Sequence, residues 1–291
     1  MDELDDRWTI EELIARYELE AIRDAFVEGS SDRSLVEWFL KEYPVPNVTV
    51  YEINSVDVPY DKIKALSLED NNRGRVITLA SSLEDGSSID LYHQVACIAD
   101  TDFDYILEKK HELRLLILTH YSSVETYLFD APLIDKFLAL VVRDFPYDGA
   151  LVLDQLTPTL NELFLIRLAN QHLELGIKIM PFDKCCTVKE HELVFDADEY
   201  VSRYLSKGAA LNRTDEFVEV ISSFRARFCE DRRMYIHGHD FIELLRFYVT
   251  KIKKPRKAYD LDFFTRSLFG VVELKGLGIT PLFSEILRRF A

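Results

Sequence analysis

Three aspartates, Asp100, Asp102 and Asp104, alternate along VACIADTDFD (Val95 to Asp104), directly after an apolar run. Like charges that close repel, and either solvent or a cation must dissipate the repulsion. A second pair of acids, Glu28 and Asp32, stands four residues apart in FVEGSSD, and Glu125 follows a third apolar run. Hard divalent cations such as Mg²⁺ or Mn²⁺ take oxygen ligands, usually one or two carboxylates completed by water and substrate phosphate. A two-metal site activates water and steadies the leaving oxygen in phosphodiester cleavage. Glu28 with Asp100 and Asp102 is the smallest set that fits this chemistry, and Asp32 and Glu125 widen it. A solvated acidic turn is the competing account of DTDFD taken alone. An EF-hand loop does not fit: the sixth and twelfth positions counted from Asp100 are Tyr105 and His111, not Gly and Glu.

The elements that must position these acids can be read from the pattern around them. Thr9 and Glu12 form a capping-box pair ahead of a helix over 10–21. AFVEG reads as a short buried strand. Ser31 or Asp32 caps the next helix, which carries Leu35, Val36, Phe39 and Leu40 on one face. NVTVYEI, HQVACIAD and LRLLILTHYS read as strands, RVITLASSLED as a helix, and SVETYLF as the opening of another. Strands alternating with helices predict an α/β fold with a mostly parallel sheet, whose functional residues gather at the strand carboxyl ends. Beyond Pro132 the pattern becomes helical: 133–144, 160–175 (Thr159 and Glu162 as capping box, Gly176 as stop), 197–206, 215–229, 240–253, 261–271 and 282–290. The composition shift suggests one domain over 1–130 and a mainly helical region over 131–291.

Bulk composition narrows the classes. Of 291 residues, 48% are hydrophobic and only 19 are Gly or Pro, which excludes a disordered chain. No apolar run approaches the roughly 20 residues of a membrane helix. The acidic start MDELDDRWTIEELI lacks the plan of a signal peptide, and the four cysteines show no CxxC spacing. A cytoplasmic protein with reduced thiols is the expectation. Net charge is −16, but it is uneven: residues 201–291 carry +6 and residues 1–200 carry −22.

Four segments, FVEGSSDRSLVEWF, IADTDFD, THYSSVETYLF and IHGHDFIELL, resemble a TOPRIM-like family related to the OLD nucleases. They cover about residues 20–130 and a patch near 235–246. The resemblance implies a TOPRIM-like sheet and a Mg²⁺- or Mn²⁺-dependent nuclease. It implies an effector encoded beside an ABC-type ATPase in bacterial anti-phage defence, which holds the nuclease until a phage is sensed. It implies Glu28 as the catalytic and metal-binding glutamate, Asp100 and Asp102 as metal ligands, Asp32 as a further acid and Glu125 as a second-site ligand. His239 stands where many relatives have the lysine of a Gly-Lys-Asp turn; a protonated histidine there can donate to nucleic-acid phosphate, with a plain helix-start role as the alternative. The family often acts as a dimer, which makes a homodimer the expectation in the active state.

Nucleic acid, DNA or structured RNA including transfer RNA, is the expected substrate. KIKKPRK supplies Lys251, Lys253, Lys254, Arg256 and Lys257, and Arg225, Arg227, Arg232 and Arg233 form a second cluster. Basic residues at a helix C-terminus also complement the helix dipole, which is the alternative role for Lys251 and Lys253. No Walker A pattern is present, so an ATP-driven step would belong to another protein. Two other readings stand beside the nuclease: a non-catalytic regulatory subunit with a vestigial site, and a phosphatase acting on small esters.

Overall fold

VACIA forms a five-residue strand buried along its whole length in the computed structural model of the chain, which describes residues 7–43, 45, 47–229, 231–254 and 259–290. The chain opens with β1 (Trp8–Thr9), α1 (Ile10–Leu19), β2 (Arg23–Val27), α2 (Ser30–Glu42) and β3 (Val48–Glu52). Next come β4 (Val56–Asp57), α3 (Tyr60–Ala65), α4 (Asn72–Gly86), β5 (Val95–Ala99), the single turn α5 (Asp104–Leu107) and β6 (Leu116–Leu118). Then follow α6 (Ala131–Phe137), α7 (Gly149–His172), β7 (Cys186–Lys189), β8 (Glu192–Phe195), α8 (Ala197–Lys207) and α9 (Thr214–Arg225). The last helices are α10 (Gly238–Lys253), α11 (Leu261–Gly270), α12 (Leu274–Gly278) and α13 (Pro281–Phe290). No described helix is long and apolar enough to cross a membrane.

Contacts group the chain differently from the composition boundary near residue 130. The first unit comprises residues 1–101, 110–120 and 273–291, and the second 102–109 and 121–272. The divide falls inside the Asp-x-Asp motif, with Asp100 in the first unit and Asp102 in the second.

The first unit is built on a four-stranded sheet of order β3-β2-β5-β6, parallel throughout. This bears out the expected α/β class with a mostly parallel sheet. The central strand β5 is apolar on both faces because helices cover both, and β2 is apolar from Ala25 to Val27 while burying Asp24. Val95, Cys97 and Ala99 join Phe26, Tyr17, Ile77, Ala80 and Leu83 in one cluster with α1 and α4. On α2, Leu35, Val36, Phe39 and Leu40 are buried, as the sequence predicts, and the Phe39 ring packs at a tilt against that of Phe283 of α13, 4.6 Å between centroids. Arg289 of α13 is buried and donates to the carbonyls of Leu115 (2.7 Å), Arg114 (2.8 Å) and Val95 (3.3 Å). The Thr9–Glu12 capping box forms as expected, with Glu12 Oε2 accepting the Thr9 N–H at 2.8 Å.

The second unit is organised around α7. The expected start at residue 160 is wrong: α7 begins at Gly149, where Asp148 accepts the Leu151 N–H at 2.8 Å. Thr159 is a buried interior residue, and Pro158 lies inside the helix. A proline there removes one backbone hydrogen bond. Burial of Val152, Leu156, Leu160, Leu163 and Phe164 outweighs that loss. The helix ends at His172, and Gly176 (φ +63°) turns the chain beyond it. The antiparallel hairpin β7–β8 is not among the expected elements. Its turn, Lys189-Glu190-His191-Glu192, has none of the Asn-Gly chemistry that marks such turns, and Glu190 takes the left-handed conformation itself (φ 55°). SVETYLF gives a 3₁₀ segment (Val124–Leu128) and not an α-helix. The strand expected over LRLLILTHYS is only Leu116–Leu118.

Candidate functional site

In the first unit the acids gather where neighbouring parallel strands end. β2 and β5 pair directly, so the residues just past Val27 and Ala99 emerge side by side. There Glu28 Oε1 accepts the backbone N–H of Asp100 at 2.7 Å. Both residues are half-buried. The next residue is pinned from the other side: Thr119, just past β6, accepts the Thr101 N–H on Oγ1 at 2.9 Å, and its carbonyl accepts the Thr101 hydroxyl.

Asp32 has a local role beyond the one its sequence position suggests. Gly29, not Ser31 or Asp32, is the N-cap of α2, and Asp32 Oδ2 accepts the Gly29 N–H at 3.0 Å. The carboxylate is thereby held at the positive end of the helix, whose N-cap is the residue after Glu28.

The first turn of α4 also reaches these loops. Asn71 caps the helix, accepting the Gly74 N–H at 2.8 Å. Asn72 Nδ2 donates to the Glu28 carbonyl at 2.8 Å, and Arg73 Nε donates to the Asp100 carbonyl at 2.7 Å. Sequence reasoning passes over Asn72 and Arg73, because they end a stretch with little periodic pattern. The signal that could have found their helix start is the cap residue Asn71 ahead of a helical run.

In the second unit, Asp102 takes the left-handed backbone conformation (φ 47°) and its N–H donates to the Ser122 carbonyl at 2.7 Å. For a residue with a Cβ this conformation costs on the order of 1 kcal/mol, less for Asp than for most. Asp104 is buried and opens α5. Glu125 is buried in the 3₁₀ segment. Its Oε2 and the Ser123 Oγ stand where a Cβ on Gly238 would project, so only glycine fits at the start of α10. Ser123 Oγ is buried and has no hydrogen-bond partner among the described residues. Tyr121 and Tyr127 pack edge to face at 4.9 Å, both buried.

His239 is exposed in the first turn of α10, its ring 5.6 Å from that of His237. Burial pushes the His237 imidazolium pKa down to about 4, so that ring is neutral near pH 7. Asp240, the next residue, is buried and bound by both arms of Arg167 at 2.7 Å.

The basic residues divide. Lys253 Nζ donates to the Val142 carbonyl at 2.7 Å and also to that of Arg143, closing the end of the π-helical turn Leu138–Val142. Lys251 is exposed beside the Phe247 ring, and Lys254 is the exposed left-handed cap of α10. Arg256 and Lys257 lie outside the described residues. In the second cluster Arg225 pairs with Glu162, Arg232 with Asp154 and Arg233 with Asp231. Those three guanidiniums are already engaged.

Among the described residues, no group of three or more His, Cys, Asp or Glu side chains is drawn together tightly enough to hold a metal ion. The donors at the ends of β2 and β5 are nevertheless of the right kind: carboxylate oxygens on two adjacent strands suit a cation that needs one or two of them and fills the rest with water and phosphate. No family model matches the sequence, and no curated protein does.

Proposed function

We propose that this chain is a divalent-metal-dependent nuclease of TOPRIM type that cleaves phosphodiester bonds of DNA or structured RNA, transfer RNA included. The observation that carries the reading is the hydrogen bond from Asp100 N–H to Glu28 Oε1 across the carboxyl ends of two paired parallel strands. It sets the two key acids of the motif beside each other. Within the first unit, Glu28 and Asp100 would hold Mg²⁺ or Mn²⁺, with Asp32 as a further acid; the metal-ligand roles of Asp102 and Glu125 rest on the resemblance alone. A divalent cation in such a place supplies a more acidic water and stabilises charge on the phosphate. Glu28, anchored through one oxygen, assists proton transfer with its carboxylate. The role as a toxic effector under an ABC-type ATPase rests on the resemblance of the four motifs, as do the active-state homodimer and the cytoplasmic setting.

The direct test is cleavage of plasmid, single-stranded DNA and total transfer RNA with Mg²⁺ or Mn²⁺, beside Glu28→Ala. Cleavage that disappears in the variant supports the reading and names the substrate class. Equal cleavage by both proteins overturns it.

A second reading is favoured by one observation, the lack of a three-ligand cluster among the described residues. On it the chain is a non-catalytic regulatory subunit of an ATPase complex, its TOPRIM-like site vestigial. Calorimetry separates the two, since a vestigial site binds Mn²⁺ weakly or not at all.

A further inference from the structure

We propose that Asn72 and Arg73, in the first turn of α4, are the positioning residues of the acid site. The inference rests on the metal-site reading above and extends it to a helix that carries none of the acids. All of its geometry lies within the first unit.

Asp100 has two backbone handles, and both are held. Its N–H goes to Glu28 Oε1 at 2.7 Å, and its carbonyl accepts Arg73 Nε at 2.7 Å. Glu28 is held in turn through its own carbonyl, which accepts Asn72 Nδ2 at 2.8 Å. The result is a closed loop of three hydrogen bonds: Asn72 to Glu28, Glu28 to Asp100, Asp100 to Arg73, with Asn72 and Arg73 joined by a peptide bond. Loops after parallel strands are otherwise free to choose their rotation, and a carboxylate that swings by an ångström is a poor ligand. Helix α4 is a rigid base for this task. Asn71 caps it, and its buried residues Val76, Ile77, Leu79, Ala80 and Leu83 fix it beneath the sheet. Gly74 is required in the same turn, because a Cβ there would collide with the Glu69 carbonyl. Arg73 also brings a guanidinium next to the peptide that carries Asp100. That charge-assisted hydrogen bond is stronger than a neutral one and survives where the local charge is negative.

Arg75 is the internal control. It lies two residues along the same helix and pairs with Asp70 at 2.8 Å. The variants are Arg73→Gln, Asn72→Ala and Arg75→Gln in the full chain. Two quantities are read: Mn²⁺ affinity by calorimetry, and amide hydrogen exchange of the segment containing Asp100 without metal. We expect Arg73→Gln and Asn72→Ala to weaken Mn²⁺ binding by about 10- to 100-fold, the range typical of residues that orient metal ligands. We expect the Asp100 amide to exchange faster in both, with melting temperatures equal to that of Arg75→Gln. Arg73→Lys keeps the charge but not the planar donor, and falls between. Wild-type exchange at Asp100 in both variants overturns the proposal, as does an equal loss in Arg75→Gln. Should the wild-type protein bind no Mn²⁺, the metal reading fails, and the exchange result alone decides whether Asn72 and Arg73 hold the loops.

Discussion

Glu28 accepts the backbone N–H of Asp100 at 2.7 Å, which ties the side chain of one strand end to the main chain of its neighbour. Glutamine keeps an oxygen at the same place and loses only the ionisable group. Glu28→Gln therefore melts with the wild type while cleavage falls by about 10²- to 10⁴-fold, the usual share of a general acid or base. Parallel melting curves and initial rates check this.

Asp102 makes a different prediction, because its backbone conformation favours glycine. Asp102→Gly and Asp102→Ala both remove the carboxylate and both abolish cleavage. They separate in stability: the alanine variant is less stable than the glycine variant by about 1 kcal/mol, the cost of a Cβ in the left-handed region. Urea unfolding of the two proteins gives the difference.

Much of this site is legible in the amino-acid sequence. The acids follow apolar runs, and those runs become paired parallel strands, so Glu28 and Asp100 meet because of a pattern visible in the residues. The helix carrying Leu35, Val36, Phe39 and Leu40 is equally plain, since 3.6-residue periodicity survives any tertiary arrangement. Asn72 and Arg73 are not legible: a donor that grips a distant carbonyl leaves no local period. The carbonyls to which Lys253 donates, 111 and 110 residues earlier in the chain, are hidden for the same reason. The true start of α7 is hidden by a chance Thr-x-x-Glu spacing inside the helix.

Arg167 and Asp240 form a bidentate pair in the second unit, with the carboxylate almost wholly enclosed. Removing one partner leaves a buried charge without compensation, so Asp240→Ala destabilises by about 3–5 kcal/mol. The double variant Arg167→Met with Asp240→Leu recovers most of that loss. Denaturation midpoints for the three proteins test it.

Asp24 gives a pH dependence with a definite sign. It is buried on β2, accepts the Tyr17 hydroxyl at 2.9 Å, and lies 3.5 Å from Arg16. Burial raises its pKa above the ordinary carboxylate value. The folded protein therefore holds the proton more tightly than the unfolded chain. The stability this adds is present in full below about pH 3.9, the unfolded value, and is lost as pH rises through the folded pKa. Asp24→Asn does not titrate, so it gains on the wild type as pH rises from the unfolded value through the folded pKa. Melting temperatures of both proteins across that range show the gap widening, and a constant gap would refute the assignment.

Arg289 braces the sheet from α13. Methionine in its place leaves the carbonyls of Arg114 and Leu115 without their donor, which costs about 3 kcal/mol. Thermal unfolding of Arg289→Met measures it.

The place of α13 has a consequence for how the protein is made. The sheet that carries Glu28 and Asp100 is encoded by residues 23–118, yet Phe283, which packs on α2, and Arg289, which donates to Val95 of β5 and to Arg114 and Leu115 just before β6, come from residues 281–290. A ribosome must add the whole second unit before the first receives its last helix. Domains encoded early ordinarily fold as they emerge. Here the acid-bearing sheet waits for residues 281–290, so a chain cut short before them during translation carries every acid of the proposed site and lacks the helix that braces its sheet.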